Sequence, residues 1–415
     1  MRPAWLEVEI NMTKRRLEIF IAIIIASFCC ALISFRVGAF LHFKLTFLLL
    51  IPLCILVIFS ITLLVKGKVR LKIFYPSVWM LAFIFVPILY IFNEAINIID
   101  LIDMRKDVAI SSWMLVVVSS VILNVLVGFI DHDLNLRRIV VWSTMLIFVL
   151  NVSVVLLDIE VGEEFLTVQK ISELTFSLFY FPLVSSQNGS NVIFVLAYIF
   201  ANHVRCTFAI RTTIMIYFLL AFSFGALACL LVFHLAAVIK RINLRNVYFV
   251  LILACTAAIP IVISSNIFIS NSAFGSSWGA LNGREFIWSS MSLDSFFSLR
   301  SLFGHGFFGH VNAGIYQEFA VMFSKQLGIQ GMHNTPYQIF YDIGFIGLVV
   351  YVITLFRVVK FGDGEDMRAI LALTPIFTLE SLFTPYSPEA YIILNLFVVC
   401  ALKSSGNNYY VKRLG

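Results

Sequence analysis

The residue types best suited to chemistry gather in one stretch, 265–336, and in the apolar run that follows it. Gly331-Met332-His333-Asn334-Thr335-Pro336-Tyr337 closes a polar segment and opens a hydrophobic one. Thr335 suits a helix N-cap and Pro336 the first helical position. His333 and Asn334 are then expected at the positive mouth of a helix, where free N–H groups and the helix dipole attract phosphate oxyanions. Imidazole is the side chain most often used as a general base, so this arrangement suits group transfer on a phosphorylated substrate. Upstream, Gly283-Arg284-Glu285-Phe286-Ile287-Trp288 offers a guanidinium fork, the best phosphate clamp among side chains. An interfacial snorkelling arginine and a helix-capping histidine are the plain alternatives for Arg284 and His333.

Other candidates surround these two. Arg284 and Arg300 are sixteen residues apart, about 160° around a straight helix, so they converge on one ligand only if the helix bends. Arg300 is thus either a second phosphate contact or a solvated charge. Leu302-Phe303-Gly304-His305-Gly306-Phe307-Phe308-Gly309-His310 is too glycine-rich for a helix and predicts a tight turn. His305 and His310 lack an evident third metal ligand, so no metal site is expected, and on a flexible turn they are candidate substrate contacts. Trp288 reads as an interface anchor or a stacking platform for substrate. Asp342, about two turns into an apolar run, is an expensive acid and a substrate-binding candidate by default, or a hydrogen-bonding partner of a neighbouring helix. Tyr337 joins the substrate-binding set at the same mouth, as does Asn334. A second amphipathic helix is expected from Ile315, Phe319, Met322, Phe323 and Leu327, stopped by Gly328.

The elements that hold these residues are set by composition. Of 415 residues, 61% are apolar and only 13% charged, with a mean hydropathy of +0.98. Soluble domains carry about 25% charged residues, and a water-soluble core could not hide this much apolar surface. The expected class is an all-α polytopic membrane protein. The seven cysteines form no CxxC pair, so no disulfide framework or zinc knuckle is indicated. The net charge of +6 has no soluble basic domain to carry it, and no nucleic-acid partner is expected.

Apolar runs of about 20 residues cross a membrane. They are read near 17–35, 43–65, 73–92, 111–130, 138–157, 191–204, 246–264, 337–357, 369–384 and 389–403, with 212–239 divided at Ser223-Phe224-Gly225 into two short half-spans. That makes about twelve, with both termini on one side. The other side keeps only Arg36, Lys44, Arg105, Lys106, Lys170, Arg284, Arg300 and Lys325 of the 29 basic residues. The positive-inside rule makes the richer side cytoplasmic. The first span reads as a retained signal anchor, and Met12, directly before Thr13-Lys14-Arg15-Arg16, reads as an alternative start. The chain then divides into spans with short loops (1–264), a large outer loop carrying short amphipathic helices (265–336), and three last spans with a cytoplasmic tail (337–415).

Gly283-Arg284-x3-Trp288, then Gly304-x-Gly306, then His333-Asn334 followed by Asp342-Ile343-Gly344-Phe345-Ile346-Gly347-Leu348 resembles the signature loop of the O-antigen polymerase and ligase superfamily. The motif-bearing likeness covers roughly residues 265–350. It implies a GT-C-like, inverting, metal-independent glycosyltransferase of the bacterial inner membrane, working on its periplasmic face without a cofactor. The implied donor is a glycan on undecaprenyl pyrophosphate. The implied roles are phosphate grip for Arg284, deprotonation of the attacking sugar hydroxyl for His333, and shaping of the site for Asn334 and Asp342. Where the family often has a Ser-Arg-Gly element, this chain has Ser223-Phe224-Gly225. Phosphate binding then leans on Arg284 with Arg300 or Lys325.

The leading expectation is a surface-polysaccharide polymerase joining lipid-linked repeat units. Its rival is a ligase that passes the glycan to lipid A–core, and a transporter is a reading of a different class. Expected partners are the lipid-linked donor and acceptor, the bilayer, and a chain-length regulator (a polysaccharide co-polymerase) if one binds.

Overall fold

A computed structural model describes residues 15–30, 135–157, 166–171, 174–179, 181, 187–221, 223–238, 249–250, 252–254, 256, 288, 300–306, 309–313, 331–361, 364–379 and 388–404. These residues are predominantly helical. In chain order the elements are α1 (15–30), α2 (Leu136–Leu156), the hairpin β1 (Leu166–Ile171) and β2 (Leu174–Phe179), α3 (Gln187–Phe200, followed by a 3-10 turn), α4 (Thr207–Leu220), α5 (Phe224–Val238), the short α6 (Arg300–Phe303) and α7 (Gly309–Asn312), α8 (Thr335–Phe361), α9 (Gly364–Leu379) and α10 (Pro388–Ser404). Two stretches, Leu136–Leu156 and Thr335–Lys360, are long and apolar enough to cross a membrane. The spans expected at 43–65, 73–92 and 111–130 lie outside the described residues, as does the amphipathic helix expected at 315–327.

The hairpin departs from the all-helical expectation. Its strands pair antiparallel, Leu166 with Phe179 through Ile171 with Leu174.

Helix α3 is the centre of the bundle. Residues Val192–Ala197 and Ile199–Ala201 are fully buried on every side, as a helix apolar all round must be. It packs against α2, α4, α5, α9 and α10. Polar side chains among these helices bond within the helix or to the next one. Asn151 Nδ2 donates to the Ile147 carbonyl at 2.8 Å, and Asn395 Nδ2 donates to the Tyr391 carbonyl at 2.7 Å. Stacking of Phe181 on Tyr217 (centroids 4.7 Å) with Phe148 edge-on at 5.5 Å fills the contact between α2, α3 and α4.

The apolar stretch 212–239 is divided as its sequence suggests. Helix α4 ends at Leu220, and Ser223 opens α5 by accepting the Ala226 N–H on Oγ at 3.4 Å. Helices of 14 and 15 residues reach only about 21–23 Å at 1.5 Å per residue.

The two ends of the bundle carry different chemistry. At one end the buried Glu18 carboxylate of α1 accepts from Arg138 Nη1 (2.7 Å) and from the Asn135 N–H (2.9 Å). Arg138 Nε also donates to the His203 carbonyl at 3.1 Å. Arg137 pairs with Asp366 (2.9 Å) and Glu365 (3.2 Å), and His203 reaches Glu365 at 2.8 Å. Glu365 and Asp366 lie in the first turn of α9, where acids complement the helix dipole. At the opposite end of α9, Thr378 meets the mouth of α8.

Candidate functional site

Helix α8 builds the site from its N-terminus. Asn334 is the cap: its Oδ1 accepts the Tyr337 N–H at 3.1 Å, and its carbonyl accepts the Gln338 N–H at 3.0 Å. The expected cap was Thr335, one residue later. Asparagine wins because its amide has two more donors to place, and both are used. Nδ2 donates to the carbonyls of Thr256 (2.9 Å) and Thr378 (3.1 Å), clasping two neighbouring helical segments. Pro336 therefore sits at the second helical position, where a missing N–H still costs nothing.

His333, just before the cap, has φ +48°, and is the one non-glycine residue with positive φ among the described residues. This region is uncommon for side-chain-bearing residues, and holding one there costs on the order of 1–3 kcal/mol unless its surroundings fix it. The surroundings do. The Met332 N–H donates to Gln338 Oε1 at 2.8 Å, and the Met332 carbonyl accepts from Trp288 Nε1 at 2.9 Å. On the other flank Asn334 is clasped as described. Met332, Asn334, Gln338 and Trp288 are each fully buried, whereas His333 is only half-buried.

One turn further, Gln338 Nε2 approaches Asp342 Oδ1 at 2.9 Å and His310 Nδ1 at 3.2 Å. Asp342 Oδ1 also accepts the Gly309 N–H at 2.8 Å. Two residues on, α8 breaks: Gly344 has φ +74°, ψ −166°. Around the break the carbonyls of Tyr341 and Asp342 accept from outside the helix, from the N–H groups of His305 (2.7 Å) and Gly306 (3.0 Å). The glycine-rich turn is thus laid backbone to backbone on the kink. A Cβ on Gly304 would lie 2.5 Å from the nitrogens of Gly344 and Ile343, and a Cβ on Gly344 would overlap the Gly304 nitrogen and the Leu302 carbonyl.

Several of the expected site residues lie in the interior. The ring of Trp288 is fully buried and its indole N–H is bonded to the Met332 carbonyl. His310, Asn334 and Asp342 are buried with polar atoms turned to protein partners. Tyr337 is buried too. All five side chains are buried in this structure, behind the turn that carries His333. His305 stays half-buried on the turn, its N–H bonded to Tyr341. Arg300 opens α6, and its side chain lies outside the described residues, as do Arg284 and Lys325 altogether.

Sequence reasoning missed Gln338. A neutral amide inside an apolar run carries no charge signal. Its one mark was a position four residues before Asp342, which puts both on one helix face. Among the described residues no group of three or more His, Cys, Asp or Glu side chains is arranged to share a metal ion.

The site as described joins a capped helix mouth to a half-buried imidazole in a strained backbone, stiffened by the hydrogen bonds of Trp288, Gln338 and Asn334. Comparison with known proteins adds nothing to this geometry: no family model matches the chain, and no curated protein or solved structure matches it significantly.

Proposed function

We propose that this chain is a polysaccharide polymerase of the bacterial inner membrane, a GT-C-like glycosyltransferase of about twelve spans. It moves a growing glycan from undecaprenyl pyrophosphate to a hydroxyl of the next lipid-linked repeat unit. The observation that supports this most is the bond from Trp288 Nε1 to the Met332 carbonyl. It ties the residue four positions after Arg284 to the residue immediately before His333. Arg284 lies outside the described residues, but four peptide units limit its Cα to about 14 Å from that of Trp288. An arginine side chain anchored within that radius can serve the same ligand as the imidazole.

In this reading His333 takes the proton of the acceptor hydroxyl as its oxygen attacks the anomeric carbon. The bond from that carbon to the pyrophosphate oxygen breaks with inversion, and Arg284 holds the released charge. The first-turn N–H groups of Tyr337 and Gln338 are taken by Asn334, so α8 offers only its dipole to that anion. Basic connections around Arg137, Arg138 and His203 group with α1 and the start of α9, away from the His333 turn. This grouping favours a periplasmic site and a cytoplasmic opposite end.

The test is reconstitution of purified protein in liposomes with undecaprenyl-pyrophosphate-linked repeat units and chelator. Wild-type protein is expected to give a ladder of products. His333→Ala should slow it by about 10²–10⁴-fold, the usual worth of a general base, and Arg284→Ala should do so at least as strongly. A wild-type ladder from His333→Ala would remove that residue from the mechanism. Transfer only to lipid A–core would make the chain a ligase, and substrate counter-flow with no bond formed would make it a transporter.

A further inference from the structure

We infer that Gln338 is a positioning residue that sets His333, acting through a bonded relay that runs from Met332 to Asp342. The reasoning begins with what a backbone N–H can do. The Met332 N–H can only donate, so the Gln338 amide must turn its oxygen toward it, at 2.8 Å. That fixes Nε2 on the opposite side, facing Asp342 Oδ1 at 2.9 Å and His310 Nδ1 at 3.2 Å. An amide nitrogen has two hydrogens and no lone pair to offer. Both hydrogens are therefore placed, and His310 Nδ1 must accept. The His310 ring is held as the neutral tautomer with its proton on Nε2.

Each member of this relay is fastened to a different part of the site. Asp342 Oδ1 takes the Gly309 N–H, which ties the relay to the glycine-rich turn. His310 follows Gly309 on that turn. Met332 is bonded through its carbonyl to Trp288. Gln338 joins the turn, the helix and the loop that carries His333, and it is fully buried. Replacing the amide frees the Met332 N–H from its side-chain acceptor, and His333, at φ +48°, loses one of the constraints that hold its backbone in the left-handed region. The relay was not needed to cap α8, since Asn334 does that. Its effect falls on the residue between.

In terms of the reaction this rests on the polymerase reading, in which His333 is the base and Gln338 never touches substrate. The experiment separates the two ideas by using a readout that needs no activity. Native protein in detergent is treated with diethyl pyrocarbonate, and carbethoxylation of each histidine is timed by mass spectrometry. His234 is the internal reference, because it is exposed on α5 and bonded to Tyr198 rather than to the site. Gln338→Met keeps the side-chain length and removes the amide. It is expected to change the His333 rate at least about three-fold while leaving His234 unchanged. In turnover assays it should lower kcat about ten-fold or more with donor KM within about two-fold, as expected when geometry rather than binding is lost. Trp288→Phe removes the indole donor to Met332 together with part of a buried ring, and should move His333 in the same way. If Gln338→Met does not fold, the Trp288→Phe result decides. Unchanged His333 reactivity in the folded variant overturns the positioning role, whether or not the protein polymerises glycan. A wild-type protein without activity but with the His333 response intact sinks the polymerase reading alone.

Discussion

Gly344→Ala is the substitution whose cost can be worked out most fully. The residue has φ +74° and ψ −166°, a region essentially closed to side-chain-bearing residues, and forcing alanine there costs on the order of 1–3 kcal/mol. The added Cβ also overlaps backbone atoms, the Gly304 nitrogen and the Leu302 carbonyl. Backbone cannot rotate away as a side-chain tip can, so the glycine-rich turn must lift off α8. Lifting breaks the bonds from the His305 N–H to Tyr341 and from the Gly306 N–H to Asp342, each worth about 0.5–1.5 kcal/mol net. Together these come to about 2–6 kcal/mol. Apparent melting temperature in detergent, followed by intrinsic fluorescence, is expected to fall by about 2–7 °C, at roughly 0.9 kcal/mol per degree for a chain of this length. Glycan transfer should fall with it, because the turn carries His305 and the Asp342 contact. Gly225→Ala is the matched control. That glycine lies in helix α5, and a methyl group added to it would meet nothing within 4 Å, so alanine there should be neutral or gain up to about 1 kcal/mol in helix propensity. If Gly344→Ala melts within about 1 °C of Gly225→Ala and transfers at the same rate, the backbone docking of turn on kink is wrong.

Two further substitutions test the clasp and the far end. Asn334→Ala removes a helix cap, about 1 kcal/mol, and leaves the Thr256 and Thr378 carbonyls without their donor, so a total loss of about 2–4 kcal/mol is expected in the same melting assay; Asn334→Ser should recover the cap part only. At the opposite end Arg138→Gln leaves the buried Glu18 carboxylate without its charged partner, with only the Asn135 N–H still donating to it, and should cost about 3–5 kcal/mol, whereas Glu18→Gln with Arg138→Gln should recover most of that; an additive double variant would show that the pair is not coupled.

Local signals were legible in the sequence, and signals between distant segments were not. The break between α4 and α5 was legible because 212–239 is too long for one span and is interrupted by Ser223-Phe224-Gly225. The mouth of α8 was found within one residue; the choice between Asn334 and Thr335 turned on the Thr256 and Thr378 carbonyls, which no local pattern reveals. Asp342 stood out as an acid in an apolar run, and Gln338 beside it did not. The turn at Gly304–Gly309 was visible from its glycines, but its seat on Gly344 depends on a contact across forty residues of chain. The hairpin was overlooked although Leu174-Thr175-Phe176-Ser177-Leu178-Phe179 alternates apolar and polar residues. The acids at Asp158, Glu160, Glu163 and Glu164 just before it suggested a plain outer connection.

The break in α8 bears directly on the choice between enzyme and transporter. Discontinuous membrane helices are the usual sign of a transport site, because unwound carbonyls and half-helix ends there coordinate the substrate or coupling ion. Irregular backbone at membrane depth is tolerated where it lines a wet cavity or is buried in protein. In α8 the second condition is met. The Tyr341 and Asp342 carbonyls are taken by the His305 and Gly306 N–H groups, and Asp342 Oδ1 by Gly309 and Gln338. Gly344 is buried against Gly304. A passing ion would have to displace a polypeptide turn to reach those oxygens. The break therefore serves to seat the turn, and the turn in turn supports, through Asp342 and Gln338, the loop that carries His333. A helix broken to hold a fixed loop is suited to positioning a reactive group, and it is poorly suited to alternating exposure of a binding site.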